Sequence, residues 1–448
     1  MKLLLCCESY WPHRGGVQEV MRQIAERMAA KGHDVTVATS RHPRRKSNIV
    51  NGVTIRAFNA GGKMVYGLNG EIDQYRAFVR TFEADAILIM AAQQWSFDAL
   101  WPVLDHIKAR KVFIPCGFSG LYDPDFEQYF RQLADILKKF DHLVFNAEKY
   151  RDIDFAKNIG LSNFTVLPNG ISETDFEREA DGEFRQKLGI PEDAFLFLTV
   201  GNPIEAKGHR QVIEAFSRLD TGEQLVVLLS IADWSGSFSI VARLVRLTRR
   251  SIGIIRLEGL GGLVQRVRRR LEPPKSTVPS TPPPERIEIL ATKTSGLAFK
   301  RVILTDLSRQ DLVQAYMAAD LFVFASRIEY SPLVLFEAAA AGTPFLTVPV
   351  GNADEIVRWT GGGILCHASK DDRGYTHVDP ETLAERMAYC MKDRERLARL
   401  GAVARERWRE YFTWKVVAGY YEDILAGRTP NIRINSSEAL PHERAGVT

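Results

Sequence analysis

The apolar positions of this chain fall into short, nearly continuous runs separated by longer amphipathic stretches. The runs "KLLLCCES", "DVTVATS", "ADAILIM", "KVFIPCG", "HLVFNA" and "FTVLPNG" are apolar enough to be buried on both faces. Between the first two lies "GGVQEVMRQIAERMAAKGH". There Val17, Val20, Met21, Ile24 and Met28 recur at helical spacing, and Gly32 ends the run. Buried strands alternating with helices predict a mostly parallel sheet covered on both faces.

An acidic, turn-rich stretch spans 172–189, and the pattern then restarts. "AFLFLTVGN", "QLVVLLSIA", "RVILTD", "DLFVFAS" and "PFLTVPVG" read as strands. "GHRQVIEAFSRL", "SRQDLVQAYMAA" and "PLVLFEAAAAG" read as the helices between them. The expected fold class is therefore α/β, with two doubly wound, Rossmann-like domains facing a central cleft. The expected boundaries are 1–180 and 181–405, followed by a helix over 406–428 and a loose polar tail over 429–448.

One interruption stands out, an expected insertion over 233–300. Its first part is rich in arginine, including Arg243, Arg246, Arg250, Arg266 and Arg268, with Glu258 as its one acid. Its second part, "EPPKSTVPSTPPPE", has the composition of an extended linker. Ile240, Leu244 and Leu247 share one helical face, and Arg243, Arg246 and Arg250 another. Three readings stay open for it: a solvated basic face, contact with an anionic membrane surface, or contact with a protein or nucleic acid.

Composition narrows the class. The 448 residues are too many for one core, and 45% hydrophobic with 25% charged residues describes an ordinary globular protein. A net charge of +4 is small for this length and argues against a general nucleic-acid partner, with local basic clusters read separately. The five cysteines show no metal spacing and read as reduced thiols. The opening apolar core, Leu3 to Cys7, is too short for a leader and reads as a strand; no run approaches the ~18 residues of a spanning helix. The expected location is the cytoplasm, with peripheral docking on the inner face of a membrane left open.

Candidate chemistry concentrates in "SRIEYSPLVLFEAAAAGTPF", where Glu329 and Glu337 stand eight positions apart in an apolar run. Buried carboxylates are costly unless something pairs with them. Ser331-Pro332 predicts an N-cap and a first-turn proline, and Gly342 a C-terminal stop. Glu329 then lies in the loop after a strand, and Glu337 inside the helix. A helix N-terminus after a parallel strand suits a diphosphate, and nearby carboxylates suit sugar hydroxyls. The plainer alternative is that Glu329 caps the loop and Glu337 pairs with an arginine. Asp123-x-Asp125 and Asp152-x-Asp154 look like acid pairs for a metal, but both sit in helix-capping or helical surroundings.

E-x7-E followed by "AAAAGTPF" and preceded by "AADLFVFAS" resembles the retaining glycosyltransferases of family 4, which have the GT-B fold. "ESYWPHRGGVQEVMRQIAERMAAKGHDVTVAT", "VLPNGISETDF", "VGNPIEAKGHRQVIEAF" and "VPVGNADEIV" match the family's other motifs in order. The resemblance implies transfer of a sugar from a nucleoside diphosphate donor to an acceptor hydroxyl, with retention and without a metal or other cofactor. It places the acceptor on the first domain and the donor on the second, and has the C-terminal helix cross back onto the first.

The family also implies roles for matching residues. Glu329 lies near the donor sugar, Glu337 binds the ribose, and the N–H groups of Ser331, Leu333 and Val334 bind diphosphate or sugar. Gly15 and Gly16 let the backbone approach the diphosphate, and Lys207 neutralises the departing diphosphate. Three departures are visible. Asn202 stands where the family has an arginine, with Arg210 or an insertion residue as the substitute cation. Cys116 stands near the usual histidine, with His13 as another contact to sugar or acceptor. "IADW" and the insertion replace a small glycine turn. The expected partners are a nucleotide sugar and a glycan or lipid-linked acceptor, and the expected setting is surface polysaccharide or glycolipid synthesis. The rivals are another GT-B enzyme of nucleotide sugars, such as an epimerase, and a catalytically weak relative serving as scaffold or partner subunit.

Overall fold

The structure is a computed structural model that describes residues 1–13, 15–232, 234, 286–432 and 434. The arginine-rich and proline-rich readings over 235–285, and the tail from 435, lie outside the described residues.

The first domain is built on an eight-stranded sheet. Its order is Phe164–Val166, His142–Phe145, Arg110–Ile114, Ala86–Met90, Lys2–Cys6, Asp34–Ser40, Val53–Phe58 and Ile49–Val50. Only the last pair is antiparallel. Leu3, Leu4, Leu5 and Cys6 are all buried, as a central strand covered on both faces requires. The helix Gly16–Ala30 buries Val20, Met21, Ile24 and Met28, the stripe its periodicity predicts. The short strands Ile49–Val50 and Val53–Phe58, and the hairpin of Ala60–Lys63 with Gly67–Gly70, were not expected; their sequence is too polar to stand out.

The second domain carries a six-stranded parallel sheet. Its order is Lys300–Thr305, Val226–Ile231, Phe195–Val200, Leu321–Phe324, Phe345–Thr347 and Gly363–Leu365. The span expected as insertion to 300 ends earlier. Ile287–Ser295 is a helix buried at Ala291 and Thr294, and Lys300 already pairs with Val226. Its weak amphipathicity, directly after a proline run, hid it.

The C-terminal segment is two helices, Arg394–Tyr411 and Trp414–Leu425, where one was expected over 406–428. Thr413 divides them, since its side chain accepts the Val416 N–H as an N-cap. Trp414, Val417, Tyr421 and Ile424 of the second helix share a core with Leu3, Leu5 and Met21 of the first domain. At the crossing, Ile171 N–H donates to Phe412 O at 2.8 Å and Trp414 N–H to Ile171 O at 3.1 Å. No helix among the described residues is long and apolar enough to cross a membrane.

Candidate functional site

The carboxyl ends of the two central strands face a cleft. Strand Leu321–Phe324 runs into Ser326, a loop, and helix Leu333–Ala341. Gly342 ends that helix in the left-handed conformation, φ 77°, as the sequence suggests. The start differs. Pro332 is the N-cap, and no side chain caps the first turn. Ser331 is buried and left-handed (φ 46°), and its Oγ accepts from Asn169 Nδ2 at 3.0 Å. The expected serine cap is instead a tether to the segment between the domains. The first-turn N–H groups at Leu333 and Val334 are therefore left without a side-chain acceptor, a positive helix end open to an anion.

Both acids find cations. Glu329 Oε1 lies 2.5 Å from Lys207 Nζ and accepts from Ser326 Oγ at 3.0 Å. Glu337 Oε1 lies 2.5 Å from Arg309 Nη1, and Arg309 Nε reaches Asp175 Oδ2 at 3.1 Å. Burial works against the Arg309 charge, but the two carboxylates overcome it and raise its pKa. Arg309 also sits 5.6 Å from the centre of the Phe176 ring. The plainer pairing of Glu337 with an arginine is thus realised. Nothing near Arg309 in sequence announced it, because the partners lie 28 positions apart.

Glycine geometry delivers Lys207 to Glu329. Gly208 has φ 78°, and a Cβ on it would stand 2.0 Å from the Ala325 carbonyl oxygen. Only glycine lets the loop lie against the end of strand Leu321–Phe324. The next residue, His209, is buried with Nδ1 3.0 Å from Ser230 Oγ; burial, with the Lys207 charge nearby, lowers its pKa to about 4. It is neutral at pH 7, so Lys207 is the cation at this turn.

Gly15 is extended, φ 167°, and Gly16 opens the first helix. A Cβ on Gly16 would lie 3.7 Å from Leu333 Cδ1, so Gly16 faces the first turn of the second domain's helix, whereas one on Gly15 would meet Gln18 of its own helix. Asn202 is exposed, and its carbonyl accepts from Ile204 N–H at 2.8 Å. Arg210 pairs with Glu214 of its own helix at 3.7 Å. His13 is exposed with its ring edge-on to His42, 6.5 Å between centroids. Cys116 is left-handed (φ 60°) with Sγ 3.6 Å from Ile114 O, and burial pushes its thiol up to about 12.

Several residues that sequence reasoning passed over join the domains here. Tyr330, between the two acids, accepts the Asn146 N–H at 2.8 Å and hydrogen-bonds Asp152. Asp152 also accepts from Gly117 N–H at 2.8 Å and Ile153 N–H at 2.9 Å. Burial pushes its carboxyl up to about 6 against those bonds. Asp152 is thus an interdomain anchor, and Asp123 of the other acid pair accepts from Asp125 N–H as a cap. Glu355, buried, accepts from Glu148 N–H at 2.8 Å and Lys149 N–H at 2.9 Å, and burial raises its pKa. A sequence signal existed only for Tyr330: a large aromatic next to Glu329 in the loop that leads into the Glu337 helix.

Comparison with known proteins agrees with this fold. A model of Glycosyltransferase Family 4 matches residues 14–175, and a model of Glycosyl transferases group 1 matches residues 264–393. A D-inositol 3-phosphate glycosyltransferase of Thermobifida fusca is 25% identical over 415 residues, covering 86% of this chain and 83% of its own. A sucrose-phosphate synthase structure from Thermosynechococcus elongatus superposes with TM-score 0.66 at 18% identity, covering 95% of this chain and 100% of its own. Anabaena HepE in complex with UDP and glucose superposes at 0.63 with 16% identity and the same coverages.

Proposed function

We propose that this glycosyltransferase of GT-B fold moves a sugar from a nucleoside diphosphate to an acceptor hydroxyl, with retention of anomeric configuration. The observation that carries the reading is the Lys207–Glu329 pair at 2.5 Å beside the first turn of helix Leu333–Ala341. Breaking the bond between sugar C1 and the diphosphate oxygen builds negative charge on the leaving group. The Leu333 and Val334 N–H groups and the Lys207 ammonium meet that charge, and Gly16 brings the first domain's backbone against the same turn. Glu337, fixed by Arg309, offers its carboxylate to the ribose. The acceptor oxygen bonds to C1, and its hydroxyl proton leaves with the nucleoside diphosphate. In this assignment Lys207 and the helix end supply the positive charge, so no metal is required and transfer is expected to persist in EDTA.

The acceptor expected from sequence is a glycan or glycolipid of surface assembly. The Thermobifida fusca relative is named for an inositol phosphate instead, so a small polyol belongs in the assay beside glycans. The scaffold reading leans on Asn202 and Cys116; the retained Lys207–Glu329 pair favours the enzyme. The test is incubation of the purified chain with UDP-, GDP- and ADP-sugars and a panel of acceptors. Product is read by mass spectrometry and its anomeric configuration by NMR. Product that vanishes in Glu329→Gln while the fold survives supports the reading. An inverted product removes the retention claim, and no product with any donor leaves the scaffold.

A further inference from the structure

Next to Glu329 the cleft opens into a cavity of about 580 Å³ bounded by both domains. From the first domain come Leu121, Tyr122 and the 149–158 segment; from the second come Ile328, Glu329, Gly351, Lys370 and Gly374. The last two belong to a hairpin in which Ser369–Lys370 pairs with Thr376–His377.

That hairpin is held in shape by its own acid. Asp371 accepts from Arg373 N–H at 3.0 Å and Tyr375 N–H at 2.9 Å, and its Oδ2 lies 2.9 Å from His377 Nε2. Thr376 N–H donates to Arg327 O at 2.8 Å, which fixes the hairpin beside the Glu329 loop. Its tip crosses to the first domain, where Arg151 Nη2 donates to Arg373 O at 2.5 Å. Gly374 is left-handed (φ 73°), and a Cβ there would stand 2.9 Å from Arg151 Nη2. The hairpin therefore forms one wall of the cavity.

The charge lining the cavity is unbalanced. Lys149, Arg151 and Lys370 face Asp154 and Glu329. Glu329 is already matched by Lys207, which leaves Asp154 against three cations. Neither Lys149 nor Lys370 has an ion-pair partner among the described residues. Arg151 spends one Nη on the Arg373 carbonyl and lies over the Tyr122 ring, 4.7 Å from its centre. Stacking of this kind fixes the orientation of the planar guanidinium and leaves its edge for an anion. Tyr122, Tyr150 and Phe155 add ring surface suited to a sugar or polyol face.

We propose that this cavity is the acceptor subsite and that it selects a polyol or sugar bearing one anionic group, phosphate or carboxylate. The anion sits among Lys149, Arg151 and Lys370 in charge-assisted hydrogen bonds, and a hydroxyl of the same molecule points to Glu329. The proposal rests on the transfer reading above and adds to it the acceptor's charge and the residues that read it.

The experiment is calorimetric titration of the full chain with D-inositol 3-phosphate, D-glucuronate, uncharged inositol and inorganic phosphate, repeated on Lys149→Ala/Lys370→Ala. UDP, GDP and ADP are titrated in parallel. An anionic probe is expected to bind at least tenfold tighter than inositol. The double variant should lose that preference, and its nucleoside diphosphate affinity should stay within twofold. Preference for the phosphate ester over D-glucuronate, or the reverse, names the anion. Anionic probes that bind no tighter than inositol overturn the proposal. So does a preference that survives in the double variant, or inorganic phosphate binding as tightly as the ester, which marks an adventitious ion only. A chain that binds an anionic probe but no nucleoside diphosphate keeps the anion site and loses the transferase reading; the opposite result does the reverse.

Discussion

Lys207 Nζ and Glu329 Oε1 stand 2.5 Å apart across 122 residues of chain, so each of the two residues assigned to the donor fixes the position of the other. Lys207→Ala leaves Glu329, whose side chain is 12% exposed, with only the Ser326 hydroxyl among the described residues. A loss of roughly 1–3 kcal/mol in folding stability is expected. Transfer should fall by about 100-fold or more, because a cation aimed at developing charge acts mainly in the transition state. Lys207→Arg keeps the charge and should recover part of the stability and little of the rate. Denaturant midpoints and turnover on the same preparations separate the two effects. A Lys207→Ala protein with wild-type turnover would remove Lys207 from the mechanism.

Arg309 joins Glu337 to Asp175, and through them the donor helix to the segment between the domains. Its side chain is 40% exposed, so Arg309→Ala is expected to cost only about 1–2 kcal/mol of stability. The larger effect belongs to donor binding, since Glu337 loses the group that orients it. Nucleoside diphosphate affinity should fall about tenfold in Arg309→Ala. Arg309→Lys holds one carboxylate at a time and should fall in between. Calorimetric titration with the diphosphate that wild type binds checks this; unchanged affinity would make Arg309 a purely structural strut.

How much of this was legible in the chain follows from the range of each interaction. The strand-helix alternation, the stop at Gly342 and the placement of Glu337 inside a helix are local, so pattern and capping rules reach them. Ser331 was misread because its oxygen bonds Asn169, 162 positions away, instead of its own helix. Arg309 with Glu337, and Tyr330 with Asp152, are long-range pairs between side chains that look ordinary in sequence. Helix Ile287–Ser295 lacks a clean apolar stripe, and Thr413 hides an N-cap inside a continuous helical pattern. The fold was therefore readable from local order, whereas the wiring of the site depends on contacts that only the folded chain brings together.

Gly208 offers a sharper test of the donor turn. Its φ of 78° and the 2.0 Å approach of the Ala325 carbonyl leave no room for a methyl group. Gly208→Ala is expected to destabilise by about 2–4 kcal/mol through strain and displacement of the loop, and to cut transfer further by moving Lys207 away from Glu329. Gly222→Ala is the control, since that glycine is also left-handed (φ 54°) but has no neighbour within 4 Å. It should cost only about 1 kcal/mol and leave transfer unchanged. If the two substitutions cost the same, the packing of Gly208 on Ala325 carries no weight.

The clasp at Asp152 predicts a pH dependence whose sign is set by burial. Its carboxyl lies at about 6 in the folded chain, against an ordinary 3.8. Between those values the folded state binds more protons than the unfolded state. Stability from this group is therefore present below about pH 4 and is lost as pH rises through 6, by up to about 3 kcal/mol. Asp152→Asn keeps an acceptor for the Gly117 N–H and removes the titration. The variant should match wild type near pH 4 and become progressively more stable than it from pH 4 to 7. Denaturant melts of both proteins across that range measure the difference directly, and other titrating groups cancel in it. A difference that is flat with pH would mean that the Asp152 carboxyl titrates in its ordinary range, with the Tyr330, Gly117 and Ile153 hydrogen bonds fully offsetting its burial.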